Sequence, residues 1–371
     1  MRVLLCGGGT SGHVMPAIAM GEIIEKHFPG AVIAFGGRCG GDENRAYTKS
    51  GHKLYTVDIQ GLRRSLTVNN VKSIIKVIKS SRNALEIIKD FKPDIIIGTG
   101  GYVCYPFLSQ GRRMGIRTMM HESNVYPGLV TRLLYKRCDA VMLNLEGTMK
   151  YLRGAKNAVV VGNPIRSGFG SISKADARRR LGIRNNEVLI VSFGGSLGAT
   201  VLNRAIAELI SRYTKSILGV RHMHSTGRSH YEEMKKAYPE LFLATSNAKI
   251  VPFIEDMPLW LTAADIAITR SGAITISELC RSATPSILIP SPNVTANHQY
   301  VNAEYMQEIG ASVLVSEESL DSEKLYREVI SLMKDKDRLS GMSERAREAC
   351  EIDTEQRIVC LIREVMKRGE K

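Results

Sequence analysis

The sequence predicts an α/β protein built from two doubly wound domains, and three observations lead to this fold class. Apolar, β-branched runs alternate with amphipathic stretches along all 371 residues, which is typical of parallel sheets with helical crossovers. A strand followed by a glycine loop and a helix start occurs twice, in Val3–Gly12 and again in Val188–Ala199. The length also favours two domains, since single cores rarely grow beyond roughly 250–300 residues.

The apolar runs give the predicted strands in chain order, and right-handed crossovers are expected between them. In the first half the strands are Val3–Cys6, Ala31–Phe35, Lys53–Ile59, Asp94–Ile97, Arg117–His121, Ala140–Leu143 and Ala158–Val161. In the second half they are Glu187–Phe193, Arg221–Ser225, Lys249–Val251, Ile266–Thr269, Ser286–Ile289 and Ser312–Val315. The first helix is expected to start near Pro16, and Val201–Tyr213 is expected to be helical.

The alternation breaks at Gly162-Asn163-Pro164 and resumes near Asn186, which marks a domain boundary. We therefore predict an N-terminal domain over residues 1–162 and a C-terminal domain over residues 163–371. The last helix is a candidate to pack back on the N-terminal domain.

Composition excludes several classes of protein. No apolar run approaches the ~20 residues that span a bilayer, and Val3–Cys6 is shorter than a signal-peptide core. The seven cysteines are scattered without CxxC spacing, so they are interpreted as reduced thiols in a cytoplasmic protein.

Positive charge is concentrated in the first half. Residues 1–162 carry 23 Lys and Arg against 11 Asp and Glu, a net charge of +12, whereas residues 163–371 carry 28 against 26, a net charge of +2. A basic half suggests an anionic partner, for which nucleic acid and an anionic membrane are both candidates. Plain solubility is the alternative.

The first glycine loop has the glycine spacing of a dinucleotide-binding fingerprint but lacks the acidic residue that completes the fingerprint. That fingerprint needs an acidic residue after the second strand, where Ala31–Phe35 is followed by Gly36-Gly37-Arg38. Neither glycine loop carries the Gly-Lys-Ser/Thr of a P-loop. What remains is an anion site of backbone N–H groups at a helix N-terminus in each domain. Such loops lie at the carboxyl ends of the strands, so the two are expected to face each other across a cleft.

Polar residues also follow several other predicted strands. They are Gly100-Gly101-Tyr102, His121-Glu122-Ser123-Asn124, Arg270-Ser271-Gly272-Ala273 with Glu278 beyond, and Asn297–Ala303. Turn formation and helix capping explain any one of them, and Ser271 is an example of a candidate cap. Together they predict a ligand site, because doubly wound sheets bind ligands at these ends.

Eight short motifs then resemble one known family. They are GGGTSGHVMPA, GTGGYV, HESNVYPG, GNPIR, GGSLGA, PFIEDM, RSGAITISEL and NHQYVNA, which keep the family's order from residue 7 to residue 303. The chain is similar to the MurG family, glycosyltransferase family 28. The resemblance implies a GT-B fold of two Rossmann-like domains facing across a cleft. It also implies inverting transfer of GlcNAc from UDP-GlcNAc to the muramyl O4 of lipid I (undecaprenyl-diphospho-MurNAc-pentapeptide), giving lipid II for peptidoglycan synthesis.

In the family the C-terminal domain binds UDP-GlcNAc, and the resemblance implies roles for the matching residues. Ser196, with the amides of Gly195–Gly198, would hold the diphosphate. Ile254 would meet uracil through its backbone, and Arg166 would reach the nucleotide from the linker. Glu278 would accept the ribose hydroxyls, as a carboxylate suits a diol.

The sugar and the remaining phosphate contacts follow in the same way. Ala273–Ser277 would lie along the diphosphate, Gln299 beside His298 would contact the GlcNAc hydroxyls, and Asn124 would reach the sugar. The donor-binding set that the resemblance implies is Thr10, Ser11, Gly12, Asn124, Arg166, Ser196, Ile254, Ala273, Ile274, Thr275, Ile276, Ser277, Glu278 and Gln299.

The acceptor hydroxyl needs a base, and the resemblance points to His13. Histidine titrates near neutrality, which suits proton transfer, and a positioning role without proton transfer is the alternative. His121 and Glu122 are rival catalytic residues. Gly101, Tyr102 and His121 are the candidate acceptor-binding residues. Loop amides and a helix N-terminus would meet the charge of the leaving UDP.

No metal or cofactor is expected. The one DxD, Asp335-Lys336-Asp337, falls in a charged helical stretch, and His222-Met223-His224 alternates along a predicted strand. The first is interpreted as solvated surface and the second as strand periodicity.

The basic half fits a lipid acceptor. Val71, Ile74, Ile75 and Ile78 form a helical stripe, while Lys72, Lys76 and Lys79 share another face. This helix, aided by Arg112 and Arg113, is a candidate docking surface for the anionic cytoplasmic face of the inner membrane, where the protein would be peripheral. An ordinary surface helix is the alternative.

The chain departs from the family pattern mainly on the acceptor side. Ser11 replaces a glycine, Cys104-Tyr105 replaces Ser-Gly, Ser123 replaces glutamine, Thr131 replaces asparagine, and Asn297 stands where an acid is common. Two rival functions remain: a related GT-B transferase that acts on diacylglycerol, and a non-catalytic protein that binds a nucleotide sugar or nucleic acid. No nucleic-acid recognition motif is present.

Overall fold

The chain forms two compact units. A computed structural model describes residues 1–41, 44–59, 68–165, 168–195, 198–216, 219–243, 247–350 and 353–368, without the side chains of residues 11, 68–75, 213–216 and 295. Unit 1 comprises Met1–Ile165 and Ile352–Lys371, and unit 2 comprises Arg166–Glu351. The division lies three residues beyond the predicted boundary, and the last helix, which is the candidate to pack back on the N-terminal domain, falls in unit 1.

Every predicted strand is present, with ends that agree within three residues, and Ala140–Leu143 and Ile266–Thr269 have the predicted bounds. In unit 1 the strands are β1 Arg2–Gly7, β2 Val32–Arg38, β3 Lys53–Val57, β4 Ile95–Gly100, β5 Arg117–Glu122, β6 Ala140–Leu143 and β7 Ala158–Val160. In unit 2 they are β8 Val188–Phe193, β9 Val220–Ser225, β10 Ala248–Val251, β11 Ile266–Thr269, β12 Ser286–Leu288 and β13 Ser312–Leu314. All pairings between them are parallel.

Helices connect most of the strands. They are α1 Ser11–His27, α2 Asn44–Lys49, α3 Val68–Phe91, α4 Cys104–Arg113, α5 Leu129–Leu134, α6 Lys174–Leu181, α7 Thr200–Ser216, α8 Tyr231–Ala237, α9 Met257–Ala263, α10 Ala273–Arg281, α11 His298–Glu308, α12 Ser322–Lys334, α13 Lys336–Glu348 and α14 Thr354–Lys367. The predicted start of α1 near Pro16 is wrong, because Pro16 lies inside the helix. Asp335 caps α13 by accepting the amide of Arg338, which gives part of the DxD stretch a structural role.

The strand order places both glycine loops at the switch points of their sheets. The order is β3-β2-β1-β4-β5-β6-β7 in unit 1 and β10-β9-β8-β11-β12-β13 in unit 2. The direction in which successive strands are added to the sheet reverses between β1 and β4 and between β8 and β11. Doubly wound sheets open a crevice at these positions, so the loops after β1, β4, β8 and β11 are where ligand contacts are expected.

Unit 1 buries apolar side chains on both faces of its sheet. On one face Leu4 and Ile96 pack with Phe107 and Leu108 of α4, and all four are at most 1% exposed. On the other face Val3 and neighbouring residues pack against α1 and α14. Burial of apolar surface on each face stabilises the folded unit, by roughly 25 cal/mol for each Å² removed from water.

Helix α14 completes the second face of unit 1. Ile358, Ile362 and Val365 are buried in the same cluster as residues of α1. At the start of α14, Glu355 pairs with Lys26 at 2.7 Å and also contacts His27. The apolar stripe of α14 therefore docks on the N-terminal sheet although it is the last helix in sequence.

Unit 2 has its main core between its sheet and α7 and α12. Ile190 and Ile268 of the central strands pack with Ile206 and Ile210 of α7 and with Leu325 of α12. Within the described ranges, no helix is both long and apolar enough to cross a membrane.

Candidate active site

His13 stands at the start of α1 and is held by the glycine loop that precedes it. Its Nδ1 lies 3.0 Å from the carbonyl oxygen of Gly8 and 3.2 Å from Oγ1 of Thr10. A carbonyl only accepts, so Nδ1 carries the proton of the neutral ring and Nε2 is left with its lone pair. Thr10, the residue before the helix, caps no backbone amide with its side chain. The acceptor nitrogen Nε2 lies on the side of the ring that faces Gly100, where a Cβ would come within 2.8 Å of it.

The Gly100–Gly101 turn closes on His13 and requires glycine at both positions. Gly100 has φ +120°, and a Cβ there would lie 2.4 Å from Cδ2 of His13. Gly101 has φ +84°, and a Cβ there would lie 2.1 Å from the Gly8 oxygen. The Gly8 amide also donates to the Gly100 oxygen at 3.3 Å. The structure therefore brings Gly101, a predicted acceptor residue, beside His13, while Tyr102, another of them, packs against the core that α4 covers.

Two side chains that sequence reasoning missed also hold this loop. The hydroxyl of Tyr47, which is fully buried and stacks on Phe35, donates to the Gly7 oxygen at 2.9 Å. Oγ1 of Thr99 lies 2.7 Å from the His13 oxygen and 3.2 Å from that of Cys6. Thr99 lies within the GTGGYV motif, which could have suggested it, whereas Tyr47 lies in α2 without any motif of its own.

Glu122 organises the loop after β5. One carboxylate oxygen accepts the backbone amide of Asn124 at 3.1 Å and its side-chain amide at 3.4 Å. The other oxygen accepts the Gly128 amide at 2.9 Å and the Thr131 hydroxyl at 2.6 Å. The side chain is 5% exposed. These hydrogen bonds fix the position of Asn124, which is a predicted sugar contact. The residue that fixes it, Glu122, is itself one of the predicted alternatives to His13 as the catalytic residue.

His121 lies in the interior of unit 1. Its ring is 1% exposed, with Nε2 3.0 Å from the Gly162 oxygen and Nδ1 3.4 Å from the Ser123 hydroxyl. Burial lowers the pKa of the His121 imidazole, because the charged form would lose its hydration.

In unit 2 the second glycine loop is shaped by close backbone approaches. Gly195 and Gly198 have φ +89° and +80°, and a Cβ on Gly198 would lie 2.0 Å from the Thr226 oxygen. The Thr226 oxygen also accepts from Nδ2 of Asn203 in α7 at 2.9 Å. The loop is therefore held against the end of β9 at the N-terminus of α7.

The N-terminus of α10 lacks a side-chain cap. Gly272 is the cap residue, so the predicted capping role of Ser271 is wrong. The Ser271 hydroxyl instead donates to the Gln299 oxygen at 2.7 Å. Ala273 to Thr275 begin the helix with their amides along its axis, an arrangement that favours an anion. Ile276 and Ser277 are buried, and Ser277 bonds back to the Ala273 oxygen at 3.0 Å. Glu278, one turn further, is 4% exposed.

Gln299 and the loop before it are tied to the same region. Oε1 of Gln299 accepts the Ser291 amide at 2.9 Å, and Nδ2 of Asn302 donates to the Ser271 oxygen at 3.1 Å. Ala296 and Asn297 have φ +55° and +54°, a left-handed conformation that costs free energy in an alanine. The structure thus joins the RSGA and NHQ motifs, which sequence separates by about 25 residues.

Other predicted donor residues are placed separately. Ile254 follows β10 and is 2% exposed. Gly12 lies in the first turn of α1. Arg166 and Ser196, together with the Ser11 side chain, lie outside the described residues.

His222 and His224 form a buried cluster with Ser192 in unit 2. The Ser192 hydroxyl lies 2.7 Å from Nε2 of His222 and 2.8 Å from Nδ1 of His224. Burial lowers the pKa of His222 well below its usual value and lowers that of His224 to about 3. Both rings are therefore neutral. The alternation along β9 is strand periodicity, as the sequence predicted, with both rings on the same inward face.

Comparison with known families covers both units. A model of the glycosyltransferase family 28 N-terminal domain matches residues 3–143, and a model of the family 28 C-terminal domain matches residues 189–358. Similar curated proteins match almost end to end. One from Acetivibrio thermocellus is 40% identical over 99% of both chains, and one from Caldanaerobacter subterraneus subsp. tengcongensis is 38% identical over 98% of this chain and 100% of that one. Both are named UDP-N-acetylglucosamine–N-acetylmuramyl-(pentapeptide) pyrophosphoryl-undecaprenol N-acetylglucosamine transferase.

A solved structure agrees with these sequence matches. The crystal structure of Acinetobacter baumannii MurG aligns with a TM-score of 0.80 and 26% identity, covering 98% of this chain and 99% of that one. This similarity confirms the predicted GT-B fold class of two Rossmann-like domains.

Proposed function

The chain belongs to glycosyltransferase family 28, and from this we propose that it transfers GlcNAc from UDP-GlcNAc to the muramyl O4 of lipid I. The product is lipid II, the precursor of peptidoglycan. The observation that carries the proposal is the 40% identity over 99% of both chains to a protein named for this reaction. The residues to which the proposal gives roles lie in the loops after β1 and β4 of unit 1 and after β8 and β11 of unit 2.

The proposed reaction is a single inverting displacement. The muramyl O4 forms a bond to the anomeric carbon of GlcNAc while the bond from that carbon to the UDP oxygen breaks. Nε2 of His13 accepts the O4 proton. It can do so because Nδ1, which contacts the Gly8 oxygen, carries the ring's own proton. The electron pair of the broken bond leaves on UDP as phosphate charge.

Unit 2 holds the donor in this proposal. N–H groups at the uncapped start of α10 and in the second glycine loop, with the dipoles of the helices that follow, would stabilise the diphosphate. Glu278, five residues after Ala273 on the same helix, accepts the ribose hydroxyls. We propose that these groups meet the charge of UDP without a metal ion.

The first test measures transfer directly. Purified protein is given UDP-[14C]GlcNAc and a short-chain lipid I analogue, with and without EDTA, beside diacylglycerol as a competing acceptor. We expect label in the lipid I product at the same rate in EDTA. Transfer to diacylglycerol alone would replace the proposed acceptor, and transfer abolished by EDTA and restored by a divalent ion would overturn the metal-free step.

Glu278→Gln is expected to weaken UDP-GlcNAc binding by roughly 10- to 100-fold, since hydrogen bonds to a charged group are worth about 1.5–3 kcal/mol. The measurement is the Kd for UDP-GlcNAc by calorimetry. The matched control is Glu304→Gln on the exposed face of α11, which should bind as the wild type does. Equal Kd values for the two variants would remove Glu278 from the donor site.

We also propose that unit 1 docks on the anionic cytoplasmic face of the inner membrane. Ile78 is 52% exposed on α3, with Lys79 and Arg82 exposed nearby in sequence. Helix α4, which packs against α3, ends in exposed Arg112, Arg113 and Met114. Lys76 pairs with Asp58 at 3.1 Å, and the side chains of residues 71–75 of the predicted stripe lie outside the described residues. Exposed apolar and basic side chains together suit an anionic interface.

Reversing two of these charges is expected to weaken vesicle binding. Lys79→Glu with Arg82→Glu should lower the partition onto phosphatidylglycerol vesicles by roughly thirtyfold or more, since each lost basic residue is worth about 1 kcal/mol and each new carboxylate is repelled. Lys235→Glu with Lys236→Glu, on the exposed surface of α8 in unit 2, is the matched control. Unchanged binding of the first variant in a co-sedimentation assay would argue against this surface.

A further inference from the structure

The chain leaves unit 1 at a point that is fixed from several sides. The amides of Val161 and Gly162 both donate to the oxygen of Leu143, at 2.9 and 3.1 Å, at the end of β6. The oxygen of Gly162 faces Nε2 of His121 at 3.0 Å, at the end of β5. Two neighbouring strands thus hold the backbone just before the chain passes from unit 1 into unit 2 after Ile165.

The chain re-enters unit 1 at the same place. Gly162 has φ +83°, and a Cβ there would lie 2.3 Å from Oγ1 of Thr354, the first residue of α14. Arg357, one turn into α14, donates to the Val160 oxygen at 3.0 Å. The exit and the return of the chain therefore meet within unit 1, and His121 contacts the residue at that meeting point.

The hydrogen bonds of His121 require one neutral tautomer. The Gly162 oxygen only accepts, so Nε2 carries the proton and Nδ1 is an acceptor. Oγ of Ser123 lies 3.4 Å from that Nδ1 and 3.3 Å from Oδ1 of Asn163. A carboxamide can present its nitrogen in place of its oxygen, and the Asn163 nitrogen is buried without a partner. With that nitrogen turned to the hydroxyl, protons run in one direction from Asn163 through Ser123 to His121 and on to Gly162.

We propose that His121 is a positioning residue, which through its Nε2–H ties the exit of the chain at Gly162 to the loop of Glu122 and Asn124. The ring is 1% exposed, and both of its nitrogens are occupied within unit 1, so it is not available as a base to the acceptor. Because Ser123 follows Glu122 directly, the same bonds set the loop that places Asn124. Burial, which lowers the pKa of His121, keeps the ring in the neutral form that this role needs.

The inference rests on the proposed transferase for its kinetic arm only. In that arm, His121→Gln, whose Nε2 can still donate to the Gly162 oxygen, should keep kcat/KM within about threefold and keep the wild-type pH profile. His121→Phe leaves a buried carbonyl without a donor and should lose roughly tenfold or more. Ser123→Ala should fall between them, while Ser109→Ala, which loses only a bond within α4, should behave as the wild type does. Loss of activity and of the acidic limb of the profile in His121→Gln would overturn the proposal.

A second arm does not depend on activity. Long-range 1H–15N correlation spectra of the full chain, with His121 assigned by its loss in His121→Gln, report the protonation of each ring nitrogen. We expect a neutral ring with its proton on Nε2 from pH 8 to pH 6. A ring that is cationic at pH 6, or protonated on Nδ1, overturns the proposal. Absence of transfer in the wild type would count against the proposed function, and this spectrum would still decide the role of His121.

Discussion

His13→Gln is expected to lower kcat/KM for transfer by roughly 10²- to 10⁴-fold, the usual contribution of a general base. The Kd for UDP-GlcNAc should be unchanged, because His13 is not among the proposed donor-binding residues, and the groups proposed for the ribose and the diphosphate, Glu278 and the start of α10, lie on unit 2. The physical reason is the tautomer of His13. The Gly8 oxygen fixes the ring proton on Nδ1, so only the lone pair of Nε2 can take the proton from the muramyl O4 hydroxyl. The measurement is the pH dependence of kcat/KM for the lipid I analogue.

The pH profile separates the two roles considered for His13. If the ring is the base, the acidic limb of the wild-type profile disappears in His13→Gln, and residual activity becomes independent of pH in that range. If it only positions the acceptor, the limb survives at reduced height. His52→Gln is the matched control in unit 1, since that ring packs against Phe35 and near Glu25, within unit 1. If His13→Gln keeps activity within tenfold of wild type, His13 is not the general base.

Most of the fold could be predicted from the sequence because the strands and helices are marked by local patterns of residues. Each strand is a short apolar run, and each run begins or ends near a glycine or a polar turn. Hydrophobic periodicity and turn residues are therefore enough to locate the strands. The expected start of α1 near Pro16 is wrong because proline, which is common in the first turn of a helix, here lies inside a helix that begins at Ser11. The Ser271 cap was wrong because Gly272, which has no side chain to offer, holds that position.

The rest of the site depends on contacts that no local pattern reports. Tyr47 reaches Gly7 across 40 residues, and Ser291 meets Gln299 through a backbone amide, so neither leaves a motif. Docking of α14 on unit 1 follows from an apolar stripe that would serve equally well on unit 2. The left-handed backbone at Ala296 is set by its surroundings, against the preference of alanine. Sequence could name candidate residues, but which of them share a hydrogen bond had to come from the structure.

The Ser192 cluster gives unit 2 a built-in sensitivity to acid. One hydroxyl proton serves two imidazoles, so at most one of them receives it and the other must donate its own proton to the same oxygen. Protonating either ring places a charge inside the sheet core with no carboxylate in the cluster. The folded state therefore resists protonation, whereas the unfolded chain takes up protons near the ordinary pKa of about 6.5.

Unfolding of unit 2 is accordingly expected to become easier as the pH falls. With the pKa of His224 lowered to about 3, its contribution is complete above pH ~6.5 and is lost progressively below it, by about 2 kcal/mol at pH 5. His222 acts in the same direction. The measurement is urea unfolding at pH 7 and pH 5, followed by the fluorescence of Trp260, the chain's one tryptophan, which lies in α9 of unit 2.

A paired substitution tests whether these two rings are the cause. His222→Gln with His224→Asn keeps a nitrogen near Ser192 at both positions but removes both titrations, so the loss of stability between pH 7 and pH 5 should shrink by about 2 kcal/mol or more. His230→Gln, at a ring on the surface of the same unit, should keep the wild-type difference. A double variant with the full wild-type difference would assign the acid sensitivity to titratable groups elsewhere, which are carboxylates and the other histidines.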